Sequence, residues 1–290
     1  KPPKTIPEAI EMGKKLTKYD ANGDIIQMGF LPTEPDWFLP CYGAWFGGEP
    51  FDGKTQQVTA DSPGHVEALE WIQSYARRYD VQRIKRFASG FGNFSSPQNP
   101  FFAGKVAMVL QGVWLHSYIS QFAPGMDYGA APWPKTPHGR ENFALAIADI
   151  LVIPAGLPPA RRDAAWELLK FVGSRKGTEM LNLGQRKNTT LVDVSDEFLK
   201  NHPHPYIELF IDLSKGPGIW HYPSIGIWTQ YDSELRAAIE KMRLLQNNPA
   251  TGKPYTAREA LATVQSRMSD AWETHQQSLA RRSRPSEVAR

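Results

Sequence analysis

The stretch that decides the fold is Pro100-Phe101-Phe102-Ala103-Gly104-Lys105-Val106-Ala107-Met108-Val109-Leu110-Gln111-Gly112-Val113-Trp114. Two aromatics and a Gly104-Lys105 turn lead into residues 106–110, an apolar run too short for a helix. Gly112 interrupts the run and Trp114 follows. That order reads as a loop, a buried strand, and a glycine that lets the backbone turn tightly at the strand's end. In open α/β sheets, ligands bind beyond the carboxyl ends of strands. Trp114 therefore stands where a ligand is expected, with a purely packing role as the alternative.

Toward the N-terminus, Ser62 and Pro63 open a helix whose stripe is Val66, Leu69, Ile72, Ala76 and Tyr79, with Trp71 off that stripe. Before it lies a segment from Glu34 to Gly48 with five aromatics in ten residues (Trp37, Phe38, Tyr42, Trp45 and Phe46) beside Glu34 and Asp36. Aromatics and carboxylates together suit a ligand better than a plain core. Cys41, among Phe38, Leu39 and Tyr42, reads as a buried thiol. Asn22-Gly23 turns the chain into a strand at residues 25–30. Thr5-Ile6-Pro7-Glu8 is a capping box that opens a helix over residues 6–19. Asp20, Asn22 and Asp24 do not make a calcium loop, because the glycine falls one place early and Leu31 stands where the closing Glu is needed.

Toward the C-terminus, a short helix is expected to end at Phe122, and a strand is expected at residues 126–130. Residues 143–153 read as a buried strand interrupted by Asp149, whose charge demands a partner or solvent. Pro158-Pro159 opens a helix with Ala165, Trp166, Leu169 and Val172 on its core face. A second short helix follows at residues 177–183. His202 and His204 flank a proline, and a solvated loop is the simpler reading than a metal pair. Residues 206–213 are helical in pattern, and Gly216 to Pro223 is an aromatic loop holding Trp220. Trp228 starts the next helix, and Thr256 with Glu259 caps the last, whose stripe includes Leu261, Val264, Met268 and Trp272. Arg281, Arg282, Arg284 and Arg290 fall in the last ten residues and read as a frayed, solvated tail. The sum is α/β without strict βαβ alternation.

Bulk properties narrow the function. The 290 residues suffice for a large core or two lobes. A net charge of +3, mostly dispersed, argues against a nucleic-acid partner. One cysteine excludes an intrachain disulfide and a cysteine metal cage. No apolar run reaches membrane-spanning length. The first residue is Lys1, which points to a processed chain or a fragment. Nine Trp and ten Tyr suit a site that grips flat, partly apolar ligands. Catalytic motifs such as G-x-S-x-G, H-E-x-x-H and C-x-x-C are absent, and no cofactor or metal is expected. Only paired carboxylates at Glu34 and Asp36 leave a glycoside hydrolase open.

The phrase F-x-x-G-K-x-A-M-x-x-x-G-x-W resembles a signature of the extracellular solute-binding proteins of ABC importers, in particular the maltose-binding type. Pro3-Lys4-Thr5 with Glu8 resembles that family's helix opening, and Glu34-Pro35 followed by aromatics and Gly47-Gly48 resembles a ligand-aromatic stretch. Ile225-Gly226-Ile227-Trp228 is similar to its S-A-F-W, Ala164 to Ser174 to a common helix, and Glu259-Ala260-Leu261 to its closing helix. The resemblance implies a periplasmic binding protein type II-like two-lobe α/β fold. It also implies a non-enzymatic carbohydrate receptor that closes around its ligand and serves a membrane permease, periplasmic or extracellular, either free or lipid-anchored at the cell surface, and monomeric when the first lobe is whole. A glycerol phosphate or a polyamine is the alternative ligand.

Trp114 and Trp228 match stacking positions in the family, Asp36 or Trp37 stands where it has a sugar-contacting Tyr, and Trp220 lies in a ligand-touching loop. The full candidate set is Trp37, Trp45, Trp114, Trp220, Trp228, Glu34, Asp36, Tyr42 and Asp149. The likeness begins only at the crossover into the second lobe. Residues 1–146 are then its main part, 147–201 the returning part of the first lobe, and 202–290 the closing helices, with half the cleft absent.

Overall fold

The computed structural model describes residues 1–282. In chain order the elements are α1 (Ile6–Leu16), β1 (Lys18–Tyr19), β2 (Ile25–Phe30), a 3-10 segment (Asp36–Cys41), α2 (Tyr42–Trp45), β3 (Phe51–Asp52), β4 (Gln57–Val58), α3 (Pro63–Tyr79), α4 (Val81–Ala88), β5 (Val106–Met108) and α5 (Leu115–Phe122). Then follow β6 (Ala144–Leu145), α6 (Pro159–Val172), α7 (Arg175–Gln185), α8 (Asp196–Asn201), α9 (Ile207–Lys215), β7 (Ile219–Trp220), α10 (Trp228–Arg243) and α11 (Ala257–Arg282).

Helix starts follow their side chains. Thr5 Oγ1 accepts from Glu8 N at 3.4 Å, and Glu8 reaches back to Lys4 N at 2.8 Å. At α11 the box is reciprocal: Thr256 N donates to Glu259 Oε2 at 2.8 Å and Glu259 N to Thr256 Oγ1 at 3.2 Å. Ser62 precedes α3 but makes no cap bond; its hydroxyl meets His65 Nδ1 at 2.7 Å. Asp80 instead caps α4, accepting from Gln82 N and Arg83 N.

The central sheet has the order β1-β2-β5, with β1 antiparallel and β5 parallel to β2. α1 packs on β2 so closely that a methyl on Gly29 would lie 2.1 Å from the Gly13 carbonyl oxygen, which leaves glycine as the residue that fits there. Helix α3 is surrounded by α2, α10 and α11. Eleven of its residues are buried, Trp71 among them, so the stripe is wider than periodicity predicts. The core draws on Met28, Trp45, Tyr231, Leu261 and Met268, all at most 1% exposed.

Four expectations fail. α1 stops at Leu16 and the chain turns directly into β1. Residues 126–130 are not in a strand. Of residues 143–153, only Ala144 and Leu145 pair, in parallel with Ile219 and Trp220. Beyond them Ile147, Ile150, Leu151 and Val152 are exposed, and in α6 Trp166 is 55% exposed rather than on a core face. The cause is shared: α6 packs on α7 and no strand partners residues 147–153 among the described residues, so these apolar faces have nothing to bury against. In the tail, Arg281 and Arg282 continue α11, whereas Arg284 and Arg290 lie outside the described residues.

Candidate functional site

Three half-buried tryptophans are presented by three elements that converge on one core. The 3-10 segment carries Trp37 on its outer side and Phe38 on its inner side, where Phe38 is 3% exposed. Arg236 of α10 fixes that segment: its guanidinium donates to the carbonyls of Asp36 at 2.9 Å and Trp37 at 3.3 Å, and Asp232 holds it at 2.7 Å. Trp37 packs edge-on against Phe94, ring centres 4.8 Å apart, and Phe94 against Tyr118 at 4.6 Å.

Trp114 stands just past β5 and stacks on Phe38, with centres 6.2 Å apart and planes 28° apart. Gly112 is needed for a different reason from the one its position suggests. Its φ is not positive, but a Cβ there would lie 2.2 Å from the Trp114 ring. The glycine makes room for the indole rather than for a turn. Trp228 begins α10 and packs on Tyr222 at 5.0 Å and Tyr231 at 5.5 Å. Burial pushes the Tyr222 phenol well above its ordinary range, so it remains a protonated hydrogen-bonding group.

Glu34 precedes the aromatic segment. Burial first, and then the charge of Asp36, pushes its carboxyl up to about 7. Near neutral pH it can therefore donate as well as accept. Asp36 is exposed.

The other candidates differ in placement, and Trp45 lines the same cavity as Trp114. Trp45 is 1% exposed and donates Nε1 to the Pro134 carbonyl at 2.9 Å. Trp220 is 4% exposed and donates to Glu49 Oε2 at 2.8 Å; Arg140 grips the other oxygen of that carboxylate. Tyr42 is buried with its hydroxyl on the Pro32 carbonyl at 2.7 Å. All three are placed in the core, with their polar ends satisfied inside it. Asp149 is exposed and pairs with Lys187 at 3.0 Å, away from the aromatic cluster. Sequence reasoning did not single out Tyr222, Phe94 or Tyr118; Tyr222 at least sat in the aromatic loop it marked.

Beside Trp114 a cavity of about 860 Å³ runs along β5, lined by Ile6, Met12, Val106, Val109, Tyr128 and Trp133 among others. Its walls are largely apolar. Ser62 meets His65 Nδ1 at 2.7 Å inside the protein, where burial pushes His65 down to about 4. Among the described residues no three His, Cys, Asp or Glu side chains could hold a metal ion. The arrangement offers aromatic faces, an ionisable carboxyl and amphipathic phenols: a surface for binding a ligand with apolar faces and hydroxyl edges.

Residues 1–196 match the family model described as bacterial extracellular solute-binding protein. A maltotriose-binding protein of Pyrococcus abyssi (strain GE5 / Orsay) is 26% identical over 208 residues, 71% of this chain and 43% of that protein. A maltodextrin-binding protein of Bacillus subtilis (strain 168) is 29% identical over 153 residues, 49% of this chain and 35% of that protein. Among solved structures, CpMnBP1 with mannotriose bound superposes with a TM-score of 0.77 at 26% identity, covering 92% of this chain and 65% of that one. The maltose/maltodextrin-binding domain of Bdellovibrio bacteriovorus bound to maltotriose has a TM-score of 0.67 at 22% identity, covering 92% of this chain and 67% of that one. At that identity the likeness speaks for the fold alone. The fold is that of the type II periplasmic binding proteins. The chain spans less than half the length of the curated relatives it matches.

Proposed function

The chain belongs to the bacterial extracellular solute-binding protein family, and from that premise we propose that it forms one wall of a carbohydrate receptor serving an ABC importer. The observation that carries this is the sorting of its tryptophans. Trp37, Trp114 and Trp228 each keep part of the ring in reach of solvent, while Trp45, Trp71 and Trp220 are sealed in the core. An indole covers the apolar C–H face of a pyranose. Glu34 and the Tyr222 hydroxyl would meet its hydroxyl edge. A well-buried aromatic contact is worth about 2 kcal/mol in a hot spot, so three contacts sealed by a second wall, plus hydrogen bonds, would reach the roughly 8 kcal/mol of micromolar binding. Delivery to a membrane permease outside the cytoplasm, with no reaction catalysed, is the role this family membership favours.

We further propose that residues 147–201 are the returning part of the first lobe, with 1–146 and 202–290 forming the second. The exposed faces of Ile150, Val152, Trp166 and Phe171 support this division, since they are patterned for a core. Lobe closure would then bring Asp149 across from the indoles.

The test is titration of the intrinsic tryptophan fluorescence with manno- and malto-oligosaccharides, with glycerol 3-phosphate and a polyamine as controls. One wall alone should bind in the millimolar range, about 4 kcal/mol. A saturable change with an oligosaccharide, lost in Trp114→Ala, is expected. Saturation by the phosphate or the amine alone, or silence with every sugar at high concentration, overturns the carbohydrate reading.

A further inference from the structure

Among the described residues, two hydrogen bonds join residues 147–201 to the rest of the molecule apart from the bond that ends α8: Ser117 Oγ to the Gln185 carbonyl at 2.8 Å and His202 Nε2 to the Lys187 carbonyl at 3.1 Å. His202 belongs to a cluster. His204 lies between it and His116, with ring centres 6.5 Å and 4.8 Å away. His116, on α5, meets the Pro203 carbonyl through Nε2 at 3.1 Å and the Tyr128 hydroxyl through Nδ1 at 2.9 Å; Ser120 Oγ lies 3.4 Å from that Nε2. Tyr206 in turn donates its hydroxyl to the Tyr128 carbonyl at 2.6 Å.

The partners fix the protonation states. His202 Nδ1 receives the backbone N–H of His204 at 3.1 Å, and His204 Nδ1 receives that of Tyr206 at 3.0 Å. A backbone N–H can only donate, so both Nδ1 atoms carry lone pairs. A carbonyl can only accept, so His202 Nε2 carries the hydrogen. A second proton on either ring would set N–H against N–H. His116 differs, because the Tyr128 hydroxyl can rotate and accept. The charged group facing the cluster is Arg186, and Lys187 beside it is drawn to Asp149. No carboxylate bonds to any of the three rings among the described residues.

We propose that His116, His202 and His204 form an acid-released joint holding residues 147–201 to the rest of the molecule. Above the ordinary histidine range, near 6.5, the rings are neutral and the joint is closed. As the pH falls below it, protonation of His202 and His204 sets N–H against N–H at the two backbone donors and displaces the rings, and with the His202 ring goes the Nε2–H that the Lys187 carbonyl accepts. Burial, then His116 and His202, holds His204 down to about 4, and burial lowers His202. In both, the folded value lies below the unfolded one, so the joint's stability is full above about 6.5 and is lost as pH falls toward about 4.

The experiment is hydrogen exchange on the full chain at about pH 7.5 and about pH 5, corrected for intrinsic exchange, read at the amides of His204 and Tyr206. At least a tenfold loss of their protection in acid is expected, with amides of α3 unchanged. In His202→Asn/His204→Asn, where Oδ1 takes the place of Nδ1 as a permanent acceptor, the loss should vanish. Equal protection at both pH values in the parent, or the same acid loss in the double variant, overturns the proposal. An NMR titration of the parent's histidine ring protons guards against a misfolded variant: midpoints near 6.5 for all three rings would also overturn it.

Discussion

Trp45 and Trp166 sit in segments of similar apolar richness, yet the first is 1% exposed and the second 55%. The body formed by residues 1–146 and 202–282 closes its helices α3, α10 and α11 over a shared core. Residues 147–201 carry the same helical and strand-like patterns and leave Ile150 at 78%, Val152 at 72% and Val192 at 81% exposed. The contrast separates two things that apolar patterning is often taken to say at once. A pattern fixes which face of an element is apolar. It does not supply the layer that covers that face.

Substitutions can break this contrast. The largest effect is expected at Trp45→Ala, which empties a fully enclosed site and leaves the Pro134 carbonyl without its donor. A loss of about 3–5 kcal/mol in denaturant unfolding is expected. A cost at Trp166→Ala of the same size would erase the difference between the regions.

The carboxylates sharpen the contrast next. The folded body raises the Glu34 carboxyl to about 7 through burial and then Asp36. Its contribution to stability is therefore full below about 4.5 and lost as pH rises through about 7. Glu34→Gln should flatten the fall in stability between those values in a pH series of melting curves; an unchanged slope would place the titration elsewhere. Asp149, exposed and paired with Lys187 on the other region, gives the opposite expectation: Asp149→Asn should change stability by less than about 1 kcal/mol at any pH. The smallest effect is expected at Trp166→Ser, within about 0.5 kcal/mol in unfolding, with a measurable gain in solubility because an exposed apolar face shrinks.

Much of the body was legible from sequence because its signals are local. Whereas Gly112 was marked for a turn and its room for Trp114 emerges only from the placement of the indole, the capping boxes at Thr5 and Thr256 and the Asn22-Gly23 turn before β2 all act within a few residues. Trp228 was legible for the same reason, as the first residue of an amphipathic helix. What escaped depends on distant partners. Trp45 and Trp220 were read as ligand residues, and no spacing announced that their indole N–H groups go to Pro134 and Glu49, 89 and 171 residues away. Trp71 fell off the predicted stripe because α3 is enclosed by three other helices. His202 and His204, read as a solvated loop, are drawn in by backbone donors and by Lys187, which no spacing announces. The strand expected at residues 143–153 failed for want of a neighbour, and a single sequence cannot say whether a neighbour is present.

The Gln73 side chain on α3 donates to the Tyr255 carbonyl at 2.9 Å across 182 residues of chain. At translation rates of about 5–20 residues per second, roughly 9–36 s separate the emergence of one partner from that of the other. Throughout that interval the aromatic face of α3 and the segment beside it are made but cannot close, since α10 and α11 do not yet exist. Newly synthesised chains of this protein would therefore pass through a long, sticky adolescence, and a helper that shields apolar surface would find its substrate in the first third of the molecule rather than at its end.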